Sequence, residues 1–495
     1  MTETGDWVTP RLYGKPWFEK PVLYYWGAAA SFKLFGVSEA AARLPSAICA
    51  LLATISMAWL GWRLYGAETA RWLLLLLPTT VGMIGFSHAA ATDMPFGGML
   101  TVAMVCAAVV LGLTRNEDSA ILRRTPWLAL LAFGFFLGLA TLAKGPAAII
   151  LSGSSVLLWA AFTKRWRDAF GCLHPVAIVS FCGTALPWYI LCARRNPDFF
   201  RVFIVEHNFK RFLTPEFQHI QPFWYYIPIL LLAFLPWALA LLTAAWLGIF
   251  RYARGQRISP PTSFLLCWAV FCVVFFSISK SKLPGYILPA IPAIGLLLAR
   301  AYTHLTAGES RIFRWIQFAG GVVAVLASLA LVPNDLKGGL GLLFLVLSIG
   351  IANMILVTRR HKAIFHVKLS VLCIVPILLL LWRVPSFVGD VFPSDPSGKT
   401  LSREILGMKI PPGQIYVLHM PRGQQYSLNF YLHQEIAQWD TSGPKEGYLL
   451  VQRRNCEDLV QAPLVCANNP LVPNPSGWFI YQITRQDAGA APINN

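Results

Sequence analysis

Two acids and a small set of cations interrupt a chain that is otherwise apolar. Glu19 and Lys20 are adjacent in FEKP, Asp93 follows His88 in HAAATDMPF, and Lys144 divides apolar sequence in AKGP. His207 and Arg211 lie in EHNFKRFLTPEFQHIQPFWYY beside Glu206, Lys210, Glu216 and His219, and Lys280 and Lys282 lie in SKSKLPGYILP. Arginine presents a planar fork to phosphate oxygens and lysine a point charge. A carboxylate nearby can take a proton or orient an acceptor. The set describes a site for a phosphate-bearing group, with acids at hand for proton or metal chemistry. His and carboxylate together in the His207 loop would suit a divalent ion (Zn²⁺, or Mg²⁺/Mn²⁺), but two ligands do not make a metal site.

Each residue also has a plainer reading. Asp93 can cap a helix N-terminus, and Lys144 can be a snorkelling turn residue. Lys280 and Lys282 can offset a helix C-terminal dipole. His207 and Arg211, at i and i+4, can share the face of an amphipathic surface helix.

The elements that hold these residues are membrane spans. The chain has 495 residues, 56% hydrophobic and only 13% charged, with a mean hydropathy of +0.56. A soluble domain carries about 25% charged residues, so the composition is that of a polytopic membrane protein. The net charge of +18 does not point to nucleic acid, because the basic residues cluster in short segments between apolar runs. Anionic lipid headgroups or a phosphate-bearing substrate account for it. Twelve runs are long enough to cross a bilayer: 40–62, 71–90, 94–113, 126–143, 145–162, 173–193, 223–249, 262–279, 284–303, 314–332, 339–357 and 364–383. Alternate loops carry Arg63 and Arg71, Arg115 to Arg124, Lys164 to Arg167, Arg251 to Arg257, Arg300 to Arg314, and Arg359 to Lys362. The positive-inside rule makes these cytoplasmic. Residues 1–39, Asp93, Lys144, 194–222, 280–282 and everything after 384 then share the outer face. VLYYWGAAASFKLFG, after FEKP, is too short to span and suits an interfacial helix.

Three regions follow: an outer-face segment (1–39), the transmembrane domain (40–383) and a small extracytoplasmic α/β domain (384–495). In the last, QIYVLHM, YSLNFYL, GYLLVQR and GWFIYQI read as strands. Seven cysteines sit inside apolar runs and Cys172 at the edge of one, as small packing residues do. Cys456 and Cys466 lie in polar sequence and would close a small disulfide loop in an oxidising compartment.

GDWVTPRLYGKPWFEKPVLYYW, ARLPS at 42–46, TDMPF, LAKGP, the EHNFKRF…LLLAFLPW block and SKSKLPGYILPAIP together resemble the bacterial members of the protein O-mannosyltransferase superfamily. The nearest branch is the lipid A aminoarabinose transferases. The likeness runs in order from residue 1 to about 385. It implies a GT-C fold with about thirteen transmembrane helices, at the bacterial inner membrane with the site periplasmic. It implies inverting transfer of a sugar from a polyprenyl (undecaprenyl) phosphate to a lipid A-like glycolipid or a protein. By this resemblance Lys20 and Arg211 hold the donor phosphate, with Lys144 and Lys282 as further cations. Glu19 and Asp93 are the acids of the site, and Glu19 and His207 the pair beside a divalent ion. In the family a first helix and an acidic motif precede the stretch seen here as Gly5-Asp6-Trp7. The first aspartate of that motif, the expected acid/base, is therefore expected upstream of Met1, with a start codon placed too far downstream as the expected reason. Two other functions fit parts of the pattern. A flippase for a lipid-linked sugar would place charges inside its spans and would often show paired broken helices; neither is legible. A chain truly lacking the upstream aspartate would bind lipid phosphate without catalysis.

Overall fold

The computed structural model describes residues 1–2, 4–114, 126–210, 220–235, 237–304, 398–439, 446–452, 472–473 and 478–484. The chain divides into two compact units, whose described residues are 1–304 and 398–484.

In the first unit the apolar runs become helices: α1 (Leu23–Phe35), α2 (Glu39–Tyr65), α3 (Ala67–Leu76), α4 (Val81–Ser87), α5 (Asp93–Val110), α6 (Trp127–Lys144), α7 (Ala147–Thr163), α8 (Trp166–Phe170) and α9 (Pro175–Arg195). After a π-helix at Arg201–Lys210 come α10 (Tyr226–Ala233), α11 (Ala238–Ala253), α12 (Pro260–Ile278), a 3₁₀ segment Pro284–Ala290 and α13 (Ile291–Thr303). Six stretches are long and apolar enough to cross a membrane, or eight if each of two bent pairs is one span, and α7 is a shorter apolar helix. The first nine runs read from the sequence are each matched by one of these. The runs at 314–332, 339–357 and 364–383 lie outside the described residues. With 13 residues, α1 is short of the ~20 a span needs.

Two runs each read as one span are broken. α3 and α4 meet at 63°, and the helices over Phe223–Ala233 and Ala238–Ala253 meet at 118°. Pro78 stands at the first break, where proline removes a backbone donor, and the sequence has Pro236 between the helices of the second. Broken backbone at membrane depth must be satisfied by protein, and these breaks satisfy each other. The Val81 amide donates to the Leu235 carbonyl at 2.9 Å, and Trp237 Nε1 to Thr79 Oγ1 at 2.8 Å. Thr79 and Thr80 return their hydroxyls to Leu75 and Leu77 carbonyls. Elsewhere the helices approach closely. A Cβ on Gly98 of α5 would fall 2.6 Å from the Cys49 carbonyl oxygen of α2.

The second unit is a five-stranded mixed sheet flanked by α14 (Lys399–Gly407) and α15 (Arg422–Leu432). Its strands are β3 (Ile415–Val417), β4 (Ala437–Gln438), β5 (Glu446–Gln452), β6 (Val472–Pro473) and β7 (Trp478–Thr484), after a small hairpin β1 (Arg11–Leu12) and β2 (Lys15–Pro16) in the first unit. The order is β4-β3-β5-β7-β6. β3 is parallel to β4 and β5, and β7 is antiparallel to β5 and β6. Alternation divides the strands between two cores: Leu450 and Ile480 pack with Leu401, Ile405 and Leu428, whereas Leu449, Val451, Tyr481 and Ile483 form the other. Three of the four runs read as strands are strands. The fourth, YSLNFYL, is helical within α15: Gln424, Leu428 and Leu432 recur every four residues on its buried face, and this period outweighs the β-propensity of its aromatic residues. Cys456 and Cys466 lie outside the described residues.

Candidate active site

The sequence places Asp93 and Lys144 far apart, and the fold joins them. Asp93 is the first residue of α5 and Lys144 the last of α6, where Gly145 (φ 86°) ends the helix. Lys144 Nζ donates to Asp93 Oδ1 at 2.5 Å, with side chains 9% and 24% exposed. The ammonium also lies 4.5 Å from the Tyr286 ring centroid and 5.4 Å from that of Phe96, contacts in which the ring faces attract a cation. Gly285 presses on the pair from the 3₁₀ segment. A Cβ there would be 2.8 Å from Asp93 Oδ1 and 2.9 Å from Phe86 Cε1. The loop before Asp93 is held by ARLPS, since Ser46 Oγ donates to the Ala89 carbonyl at 2.7 Å. Lys144, expected as a turn residue or a further phosphate cation, forms an ion pair with Asp93, a contact of Asp93 beyond helix capping.

The N-terminal segment carries Glu19 and Lys20 to the same part of the bundle. Asp6 accepts from the Val8 and Thr9 amides and pairs with Arg195 at 3.2 Å. Asn196 donates to Thr9, Trp188 Nε1 to the Val8 carbonyl, and Trp26 Nε1 to the Trp7 carbonyl. Burial alone would raise the Asp6 pKa; the Val8 and Thr9 amides, with Arg195 and Arg11, outweigh it and hold the carboxyl below its ordinary value. Phe18 and Val22, either side of the Glu19–Lys20 pair, are buried in one cluster with Leu142, Trp188, Phe199 and Phe203. Leu142 precedes Lys144 by half a turn, and Phe203 lies in the π-helix that carries His207. Glu19 and Lys20, both half-buried, thus sit at the start of α1 as the sequence predicts. Residues 201–210, which include His207, wind as a π-helix, and the i, i+4 pairing expected for His207 and Arg211 reaches beyond the described residues. Arg211 itself lies outside the described residues.

Lys282 is buried, 6% exposed, and donates to the carbonyls of Ser279 (2.6 Å) and Gln221 (3.0 Å). A β-bridge between Ile220 and Ser281 and a bond from the Tyr226 hydroxyl to the Leu283 carbonyl close the same strap. It fastens the segment at 220–222 to the one that presses on Asp93. Burial, and then the like charge of Lys280, hold the Lys282 pKa below the ordinary lysine value. Lys280 is exposed.

Among the described residues no three His, Cys, Asp or Glu side chains converge as metal ligands. Glu19 and His207 alone are too few to make such a set. Sequence reasoning missed Tyr286, Tyr226 and Gly285. The only available signal was their place in the motif blocks, because aromatic and glycine residues carry no charge to mark them.

Residues 1–203 match the family model of the dolichyl-phosphate-mannose-protein mannosyltransferases. The undecaprenyl phosphate-alpha-4-amino-4-deoxy-L-arabinose arabinosyl transferase of Aeromonas hydrophila is 31% identical over 411 residues, which cover 79% of this chain and 71% of that protein. The chain belongs to this arabinosyl transferase family. Other family members of the same name match over less of their length. That of Aeromonas salmonicida is 34% identical over 68% of this chain and 60% of its own, and that of Edwardsiella ictaluri 33% over 67% and 59%. The chain thus spans about 60% of these two relatives. The crystal structure of ArnT from Cupriavidus metallidurans bound to undecaprenyl phosphate superposes with a TM-score of 0.78 at 23% identity, over 99% of this chain and 92% of that one. The transferase family and this chain share one fold, of GT-C type.

Proposed function

We propose that this protein is an integral-membrane glycosyltransferase. It moves a sugar from undecaprenyl phosphate to a lipid A-like glycolipid, or to a protein, at the outer face of a bacterial inner membrane. Twelve spans, the periplasmic site and the extracytoplasmic C-terminal domain with its Cys456–Cys466 bridge belong to the same reading. The observation that carries it is the part-buried Asp93–Lys144 pair, set beside the Phe18–Val22 cluster that presents Glu19 and Lys20, in a chain whose relatives are named as undecaprenyl phosphate arabinosyl transferases.

The acceptor oxygen attacks the anomeric carbon from the face opposite the phosphate. The new C–O bond forms as the old one breaks, its electron pair leaves with the polyprenyl phosphate, and the configuration inverts. Lys20 and Arg211 hold that phosphate, and fixed cations stabilise its developing charge without reorganising. A hydroxyl acceptor passes its proton to a carboxylate, for which Glu19 is the candidate in this chain, whereas a phosphate acceptor needs only positioning. Asp93, fixed by Lys144, orients the acceptor. Lys282 acts through the strap it closes, and its charge adds to the cationic field. A flippase is not favoured, because the two helix breaks, LLPTTVGMI and LLAFLPWALA, contain no ionisable residue.

The test is donor binding. With the full-length protein, Lys20→Ala and Arg211→Ala should each weaken undecaprenyl phosphate binding by about tenfold or more, as expected for one charge-assisted contact. Unchanged affinity in both would remove them from the site.

A further inference from the structure

Lys282 stands in the turn just before Gly285, the residue that touches Asp93. Its donors end on backbone carbonyls: that of Ser279 in its own turn at 2.6 Å, and that of Gln221, 61 residues away, at 3.0 Å. A buried ammonium is costly unless its N–H groups are answered. The two carbonyls therefore hold the lysine, and the lysine holds the two segments together. The Ile220–Ser281 bridge and the bond from Ser279 Oγ to the Ser281 carbonyl (3.0 Å) complete the turn.

From this turn the chain runs directly into the site. The Leu283 carbonyl accepts from the Tyr226 hydroxyl at 3.2 Å and from the Tyr286 amide at 3.1 Å, and so starts the 3₁₀ segment. That segment meets α5 at two glycines. A Cβ on Gly285 would stand 2.8 Å from Asp93 Oδ1, and one on Gly97 would stand 3.2 Å from Leu288 Cδ2. The Tyr286 ring centroid lies 5.2 Å from that of Phe276 and 4.5 Å from Lys144 Nζ. Interiors packed this closely transmit a displacement to their neighbours. A shift of the Lys282 turn therefore reaches both members of the Asp93–Lys144 pair, through residues 283–286.

We propose that Lys282 is a positioning residue for the transfer. By fixing its turn to Gln221, it sets where Asp93 and Lys144 stand toward the acceptor. This rests on the reading of Asp93 as the group that orients the acceptor. The consequence is a loss of turnover carried through Asp93, with donor affinity retained.

The test uses the full-length protein with undecaprenyl phosphate-linked 4-amino-4-deoxy-L-arabinose and lipid A. Turnover is counted per undecaprenyl phosphate-binding site, so that unfolded molecules do not enter. Lys282→Met should lower kcat about tenfold, the scale on which a small misplacement of a reacting group costs rate. Its affinity for undecaprenyl phosphate should stay within about threefold of wild type, since no direct contact is lost. Tyr226→Phe removes only the hydroxyl on the Leu283 carbonyl and should lower kcat about threefold; it carries the test if Lys282→Met does not fold. Each is then combined with Asp93→Asn. The double variants should transfer no more slowly than Asp93→Asn alone, because both changes act at one point. Losses that multiply would overturn the route through Asp93 and leave the reading of Asp93 intact. Donor affinity that falls in step with kcat would make Lys282 a direct phosphate ligand and overturn the proposal, as would wild-type turnover in both strap variants. Asp93→Asn that transfers at the wild-type rate would overturn the reading of Asp93 itself, and this inference with it.

Discussion

The contact between Lys144 and Asp93 gives the sharpest energetic prediction. The two side chains are 9% and 24% exposed and meet at 2.5 Å, so solvent screens them little. Replacing Lys144 by Met leaves a carboxylate in a pocket built for a pair, and losing one partner of a buried pair costs about 3 kcal/mol or more. Replacing Asp93 by Asn costs less, about 2 kcal/mol, because the ammonium keeps the faces of Tyr286 and Phe96. The double variant leaves no orphaned charge, and removing both partners of a buried pair is often near neutral. Its cost should therefore not exceed the ~3 kcal/mol of Lys144→Met alone, which leaves a coupling of at least about 2 kcal/mol. In a chain this long each kcal/mol moves the thermal midpoint by about 2 °C or less. Tryptophan fluorescence of the purified protein, which has 18 tryptophans, reads that midpoint at a fixed heating rate. The double variant should melt no lower than Lys144→Met alone. A double variant that melts at the sum of the two single shifts would refute the pairing.

Three further outcomes follow from particular contacts. Gly285→Ala places a methyl group 2.8 Å from Asp93 Oδ1, and should lower transfer several-fold while the thermal midpoint falls by only a few degrees; steady-state kinetics on the folded variant checks this. The Asp6 carboxyl titrates below its ordinary 3.8 when folded, so its stabilisation is present above that value and lost as pH falls through the lowered folded one. Below about pH 4 wild type should therefore lose more stability than Asp6→Asn, by less than about 1 kcal/mol for so exposed a pair, which the larger fall of its thermal midpoint checks. Cys456 and Cys466 should resist thiol labelling until a reductant is added, and ready labelling without it would contradict their proposed compartment.

How much of this was legible depended on the range of the interaction. Every apolar run within the described residues became a helix, because hydropathy over ~20 residues is a local property. Glu19 and Lys20 were correctly placed before a short helix for the same reason. The breaks at 77–80 and 234–237 were not read, although Pro78 and Pro236 mark them, because each is tolerated only through the bonds it makes to the other. Asp93 and Lys144 were each visible as charges in apolar sequence. Their pairing spans 51 residues of chain, and nothing local encodes it. Lys282 was visible as a charge in the SKSK turn, whereas its bonds to the carbonyls of Ser279 and Gln221 were not. In α15 the opposite error occurred: Tyr426, Phe430 and Tyr431 signalled a strand, while the burial of Leu428 and Leu432 decided for a helix.

The central claim is tested most directly by transfer itself. The full-length protein is supplied with undecaprenyl phosphate bearing a labelled 4-amino-4-deoxy-L-arabinose and with a lipid A acceptor, and the product is analysed for label and anomeric configuration. The account predicts labelled glycolipid with inverted configuration, formed at least about a hundredfold more slowly by Lys20→Ala, as expected when a fixed charge on the leaving group is removed. Labelled product with retained configuration, or turnover indifferent to Lys20, would contradict it.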